Sequence, residues 1–166
     1  LINIKYRDGR KHFKLYKGAE KVFYNINSIV GYDTCVIVEG EMDALAYHEA
    51  GITNVISVPN GATLNHNNLD YLDNCIDYFE DKEKVILAVD QDEAGIALQQ
   101  ELIRRLGAEV CYLVNFSDCK DANDYLLKYG KKDLAETIKD CRPVPLENVT
   151  TFKDIEHEVT DFVKHG

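Results

Sequence analysis

CVIVEGEMDAL at residues 35–45 and KVILAVDQDEAG at residues 84–95 decide the architecture of this chain. Each opens on a short apolar run, Val36 to Val38 and Val85 to Val89, and stops at a carboxylate, Glu39 or Asp90, before a helical pattern begins. A strand without polar alternation is buried on both faces, as in a parallel sheet covered by helices. NVISV (residues 54–58) and EVCYLV (residues 109–114) supply two more such runs. Helices are expected over about Glu41–Ala50, closed by Gly51, along Leu69, Leu72, Ile76 and Phe79, over Ala94–Leu106, stopped at Gly107, and around Tyr125–Leu127. The expected fold is α/β, a mainly parallel central sheet flanked by helices.

In such sheets ligands bind beyond the carboxyl ends of the strands. That rule assigns Val36, Ile37, Val85, Ile86 and Val89 to the core and makes Glu39 and Asp90 functional. Gly40 permits a tight turn after Glu39, and Asp43 follows in the first helical turn, where the helix dipole alone would favour an acid. Asp92 lies two residues beyond Asp90, and a third acidic group, Asp121 with Asn123 and Asp124, follows the next strand. Two like charges about 4 Å apart repel by roughly 4 kcal/mol at an effective dielectric of 20, so such a cluster needs neutralising. Hard oxygen ligands select Mg2+ or Mn2+, which bridge to phosphates and support phosphoryl transfer, with Glu39 as ligand or general base. Relief of this repulsion predicts that Asp92→Asn leaves the metal-free chain as stable as before, or more so.

The chain has 166 residues, 45% hydrophobic and 29% charged, enough for one good core. No apolar run approaches a membrane span and the start lacks the pattern of a signal peptide, so a soluble intracellular protein without a membrane partner is expected. The five cysteines include no CxxC pair and the five histidines no HExxH pattern, which argues against a disulfide framework or a zinc site.

A net charge of −10 argues against nucleic-acid binding by bulk electrostatics, but the average hides an asymmetry. Residues 1–22 carry seven basic groups against Asp8 and Glu20, a balance of +5 that leaves −15 for the rest. INIKYRDGRKHFKL (residues 2–15) reads as a β-hairpin turning at Asp8-Gly9. A two-residue loop would pair Arg7 with Arg10, Lys5 with His12, Ile4 with Phe13 and Ile2 with Leu15. Lys5, Arg7, Arg10, His12 and Lys14 would then share one face, either solvated or contacting nucleic acid or nucleotide.

VEGEMDALA, AVDQDEAG and KDANDYL, in this order, resemble the Toprim fold of primases, topoisomerases and some nucleases. EGEMDAL with VPNGA and KDAND resembles the bifunctional primase-helicases of phage type, including mitochondrial relatives, more than the bacterial stand-alone primases or topoisomerases. That resemblance implies Glu39, Asp43, Asp90 and Asp92 as catalytic residues, and Glu39, Asp90, Asp92, Asp121 and Asn123 as holders of Mg2+ or Mn2+. Asn123 stands where stand-alone primases carry a second aspartate, which makes Asp124 a less secure site residue. Lys120 is either a phosphate contact or a solvated lysine. The implied activity is that of a DNA primase joining ribonucleoside triphosphates into primers on a single-stranded DNA template.

The chain lacks a cysteine-rich zinc module and a P-loop, and it is expected to be a fragment of a larger replication protein in the cytoplasm of a prokaryotic or phage-infected cell, weakly active or inactive alone. The expected division is a basic hairpin and lead-in over 1–30, the Toprim domain over 31–142, and a linker over 143–166. In that linker Phe152, Ile155, Val159, Phe162 and Val163 form an apolar helical stripe, expected to pack on the helicase domain of the full-length protein or to support a ring oligomer through residues 151–164. Two other readings are a nuclease or topoisomerase domain with the same metals, and an assembly module with a disused acidic cluster.

Overall fold

The computed structural model describes residues 2–10, 12–62 and 69–145. The linker stripe and its proposed assembly role therefore lie outside the described residues. The chain opens with β1 (Lys5–Arg7) and β2 (Phe13–Leu15), an antiparallel hairpin. There follow β3 (Thr34–Val38), α1 (Glu41–Glu49), β4 (Val55–Ser57), the single turn α2 (Asp70–Asp73) and β5 (Lys84–Ala88). Then come α3 (Glu93–Leu106), β6 (Cys111–Leu113), α4 (Ala122–Tyr129), α5 (Lys131–Lys139) and β7 (Arg142–Pro143). The main sheet runs β4-β3-β5-β6-β7, parallel except for the short edge strand β7, which pairs antiparallel with β6.

Alternation along the central strands divides the core into two layers, as the period of two requires. Cys35 and Ile37 of β3 and Val85 and Leu87 of β5 point to the side holding Leu98 and Leu102 of α3. Val36, Val38, Ile86 and Ala88 point to the opposite side, against Ala44 and Tyr47 of α1 and Leu134 of α5. All five positions assigned to the core are buried. Phe23, Ile26 and Ile29, from the lead-in, are also buried, and Tyr24 bridges to Ser57 at the free edge of β4. The lead-in thus belongs physically to the main core.

Three local expectations differ from the structure. The apolar series from Leu69 to Phe79 is not one helix: α2 gives way to a 3-10 turn at Ile76–Tyr78, which buries Cys75 and leaves Ile76 exposed. Pro143, the first residue of the expected linker, sits in β7, as proline can at a sheet edge. The hairpin pairs Lys5 with Leu15, Tyr6 with Lys14 and Arg7 with Phe13. The cause is Asp8, whose Oδ1 accepts the backbone N–H groups of Arg10 and His12 at 2.8 and 2.9 Å and so builds a longer loop than two residues. An odd register shift turns one strand over. Lys5 and Arg7 therefore share a face with Phe13, with both cations stacked near its ring, while Lys14 lies opposite with Tyr6.

Candidate active site

Glu39 follows the last residue of β3, and Gly40 caps α1. Its Oε1 accepts the N–H of Ala62 at 2.9 Å. Gly61, in the left-handed region at φ 69°, turns the chain after Pro59 so that this N–H can point inwards. Its Oε2 is buried with no hydrogen-bond partner among the described residues. Burial pushes the Glu39 pKa up, with Asp90 and Asp92 adding repulsion against the Ala62 hydrogen bond.

Asp43, one turn into α1, is 7% exposed, and its Oδ1 accepts the N–H of Asn123 in the first turn of α4 at 3.1 Å. Burial, with the charge of Asp121 next, pushes its pKa up to about 7. Asp121 is itself the N-cap of α4, accepting the N–H of Asp124 at 2.8 Å. One oxygen of Asp121 is thus committed to the helix, and Asp124 is exposed. The Asn123 contact with Asp43 runs through its backbone rather than its side chain.

Asp90 and Asp92 flank the turn from β5 into α3, and they behave oppositely. Asp90 is largely buried, and burial pushes its pKa up against the pull of Lys120. Asp92 caps α3 by accepting the N–H of Gly95 at 3.0 Å, and that hydrogen bond holds its pKa below the usual carboxylate range. Both carboxylates clasp the ammonium of Lys120, at 2.8 Å from Asp90 and 3.2 Å from Asp92. Lys120 is thus ion-paired with both acids, while its side chain stays half exposed. Gly95 lets the first turn of α3 lie against β5: a Cβ there would stand 2.1 Å from the carbonyl oxygen of Asp90.

The hairpin's Lys5, Arg7 and Phe13 face this acidic edge across a cleft of about 630 Å3, also lined by Tyr24, Glu39, Asp43 and Asp90. Arg10 is exposed in the hairpin loop and does not line the cleft. Lys5 makes an ion pair with Glu41 at 2.8 Å, which fastens the hairpin to α1. The structure thus brings Glu39, Asp43, Asp90, Asp92, Asp121, Lys120, Lys5 and Arg7 to one end of the sheet, has Lys14 lining the same cleft from the other face of the hairpin, and leaves Arg10 outside. Sequence reasoning missed Glu41, Gly95 and Ala62. Of these only Gly95 left a readable signal, a glycine in a first helical turn.

Among the described residues, no three His, Cys, Asp or Glu side chains form a ready metal cage. Mg2+ does not need one, since it is held by one or two carboxylates with waters and substrate phosphates. Asp90 and Asp92 already converge on a cation, and the unpartnered Oε2 of Glu39 lies at the same sheet edge. These oxygens fit a hard divalent ion.

Residues 36–126 match the model of the Toprim-like family. The chain is 34% identical to the Twinkle homolog protein, chloroplastic/mitochondrial, of Arabidopsis thaliana, covering 96% of this chain and 25% of that protein. It is 36% identical to the primase homolog protein of the same plant, covering 89% of this chain and 49% of the relative. It thus spans between a quarter and about half the length of these two relatives. The primase fragment of the bacteriophage T7 primase-helicase superposes with a TM-score of 0.71 at 27% identity, over 82% of this chain and 56% of that one.

Proposed function

Because this chain belongs to the Toprim-like family, we propose that it is the catalytic Toprim domain of a DNA primase within a primase-helicase. In this reading it joins ribonucleoside triphosphates into primers on a single-stranded DNA template. The observation that carries the reading is the convergence of Glu39, Asp43, Asp90 and Asp92 at one sheet edge, facing a cleft whose other wall holds Lys5 and Arg7. The names of the primase relatives and the likeness to the T7 primase fragment support it.

Bound at Asp90 and Asp92, Mg2+ or Mn2+ would neutralise charge on the reacting phosphate. Asp121, whose charge is felt at both Asp90 and Asp43, and Asn123 would complete its surroundings, Asp121 through the oxygen that does not cap α4. Glu39 Oε2, which has no partner among the described residues, serves either as a metal ligand or as the base that takes the proton of the attacking hydroxyl, and burial raises its basicity for the second task. Asp43 holds the first turn of α4 in place and so sets the position of Asp121. Lys5 and Arg7 receive phosphates of the nucleotide or template, and Phe13 offers a ring for a base. Of the expected division into 1–30, 31–142 and 143–166, the first part supplies the basic entrance through its hairpin while its lead-in joins the catalytic body, and the last part, beyond β7, would be the tie to the helicase domain and to a ring.

Among the described residues no helix is long and apolar enough to cross a membrane. The compartment we assign is the cytoplasm of a prokaryotic or phage-infected cell. An organellar site is the second reading, because the Arabidopsis relative is named chloroplastic/mitochondrial. The function is tested by ribonucleotide incorporation on single-stranded DNA by the full-length protein, with Mg2+ or Mn2+. Glu39→Gln and Asp90→Asn should each abolish incorporation while leaving the fold intact. Strand cleavage without incorporation would replace the reading with a nuclease.

A further inference from the structure

We propose that Lys120 is a tethered counter-cation that holds the place of the divalent ion between Asp90 and Asp92, and that the arriving metal releases it towards the substrate's phosphates. The proposal rests on the metal reading of this site and adds a residue that couples metal to nucleotide.

Four features of the structure carry it. The Lys120 ammonium is bonded to both carboxylates, at 2.8 Å from Asp90 and 3.2 Å from Asp92, where a metal held by the two would compete for the same oxygens. Its backbone cannot drift away, because its carbonyl oxygen accepts the N–H of Gln91, between the two acids, at 2.9 Å. Its side chain is nevertheless 53% exposed, so the ammonium can swing outward without disturbing the core. The Asp90 side chain, at 11% exposed, cannot turn to water in exchange, so its charge is balanced where it stands by a cation or a proton.

An ammonium and a divalent ion on the same oxygens repel, so they exchange rather than coexist. Expelling Lys120 weakens metal binding in the nucleotide-free chain. A triphosphate in the cleft gives the released ammonium an anionic partner, which offsets that cost. Metal and nucleotide then favour each other's binding reciprocally, and Lys120 is the positioning residue through which they do so.

The test is Mn2+ affinity of the 166-residue chain without nucleotide, measured by the electron paramagnetic resonance of free Mn2+, for the parent, Lys120→Gln and Lys120→Arg. Lys120→Gln should bind Mn2+ about tenfold more tightly, within the usual range of such couplings. Lys120→Arg, which keeps the charge, should stay close to the parent. In metal-free buffer Lys120→Gln should melt at a lower temperature than the parent, with the difference shrinking as Mn2+ saturates. Unchanged or weaker Mn2+ binding by a folded Lys120→Gln overturns the proposal. Where parent binding is lost in Asp90→Asn, that result leaves the metal site itself standing. No Mn2+ binding by any variant sinks the metal reading and this proposal together.

Discussion

Asp43 Oδ1 accepts the backbone N–H of Asn123 at 3.1 Å, across 80 residues of sequence. The contact fastens the helix after the first acidic strand end to the helix that carries the third acidic group. Asp121 at the cap of α4 is thereby held near Asp43 despite the repulsion between them. Burial and the charge of Asp121 disfavour an ionised Asp43 at this junction more than the Asn123 hydrogen bond favours it.

Stability in the presence of chelator is therefore expected to fall as pH rises from about 4 to 8. Asp43 in the unfolded chain loses its proton near 3.8, whereas in the folded chain it keeps it up to about 7. Between those values the native state binds more protons than the unfolded state, so each step up in pH favours unfolding, and the loss is complete above about 7. Burial of Glu39 and Asp90 acts with the same sign. Asp43→Asn keeps an acceptor for Asn123 but cannot ionise. Urea melts at pH 5 and pH 8 should show it more stable than the parent at pH 8, by at most about 4 kcal/mol, with little difference near pH 4. An equally steep pH dependence in the variant would reject this role for Asp43.

Asp90 and Asp92 should respond oppositely to neutralisation without metal. The repulsion argument expected Asp92→Asn to be harmless or stabilising, but Asp92 is held ionised by the first turn of α3 and by Lys120. Asp92→Asn should lower metal-free stability by about 0.5 kcal/mol, a figure reduced for its exposure. Asp90→Asn, which removes a buried charge, should leave it equal or higher. Both variants, and Glu39→Gln, should shrink the rise in melting temperature that Mn2+ produces. A full Mn2+ response in all three would remove them from the metal site.

The sheet was legible because Val36–Val38 and Val85–Val89 lack polar alternation, and the strand-end rule then selected Glu39 and Asp90 without further information. What escaped were contacts set by single side chains. Asp8 lengthened the hairpin loop by accepting two backbone N–H groups, which no alternation pattern reveals, and so moved Lys14 away from the face of Lys5 and Arg7. The partners of Lys120 and Lys5 are set by tertiary geometry, and a lysine's spacing along the chain does not say which carboxylate it meets. α5 and β7 went unread for another reason: β7 has only two paired residues, one a proline.

Gly95→Ala should be among the most damaging small substitutions in the chain. The new methyl would stand 2.1 Å from the Asp90 carbonyl oxygen and 3.1 Å from its Cα, backbone atoms that cannot rotate aside. Either α3 lifts from β5 or the Asp90 turn shifts, and both separate Asp90 from Asp92. A loss of about 3 kcal/mol or more in denaturant melts is expected, at the upper end of overpacking costs. Ala94→Gly, a neighbouring change without the clash, should cost about 1 kcal/mol or less by helix propensity. Similar losses from the two would show that close approach is not the reason for the glycine.

The hairpin's two faces separate a nucleic-acid role from a merely solvated edge. Lys5 and Arg7 line the cleft with Phe13, whereas Arg10 projects from the loop, outside it. Binding of a single-stranded oligonucleotide should therefore weaken in Lys5→Gln/Arg7→Gln and stay nearly unchanged in Arg10→Gln. Each lost phosphate contact should lower the slope of log affinity against log salt by roughly 0.7, so the double variant should lose about 1.4 of slope. Glu41 supplies the opposite control. It holds the Lys5 ammonium at 2.8 Å, and a phosphate must compete with it for that charge. Glu41→Gln frees Lys5 and should tighten binding in the same titrations, with a steeper salt slope. Arg10→Gln matching the double variant would make the attraction a general effect of the basic end. An unchanged slope in the double variant would reduce the hairpin to a solvated edge of the fold, whatever Glu41→Gln does.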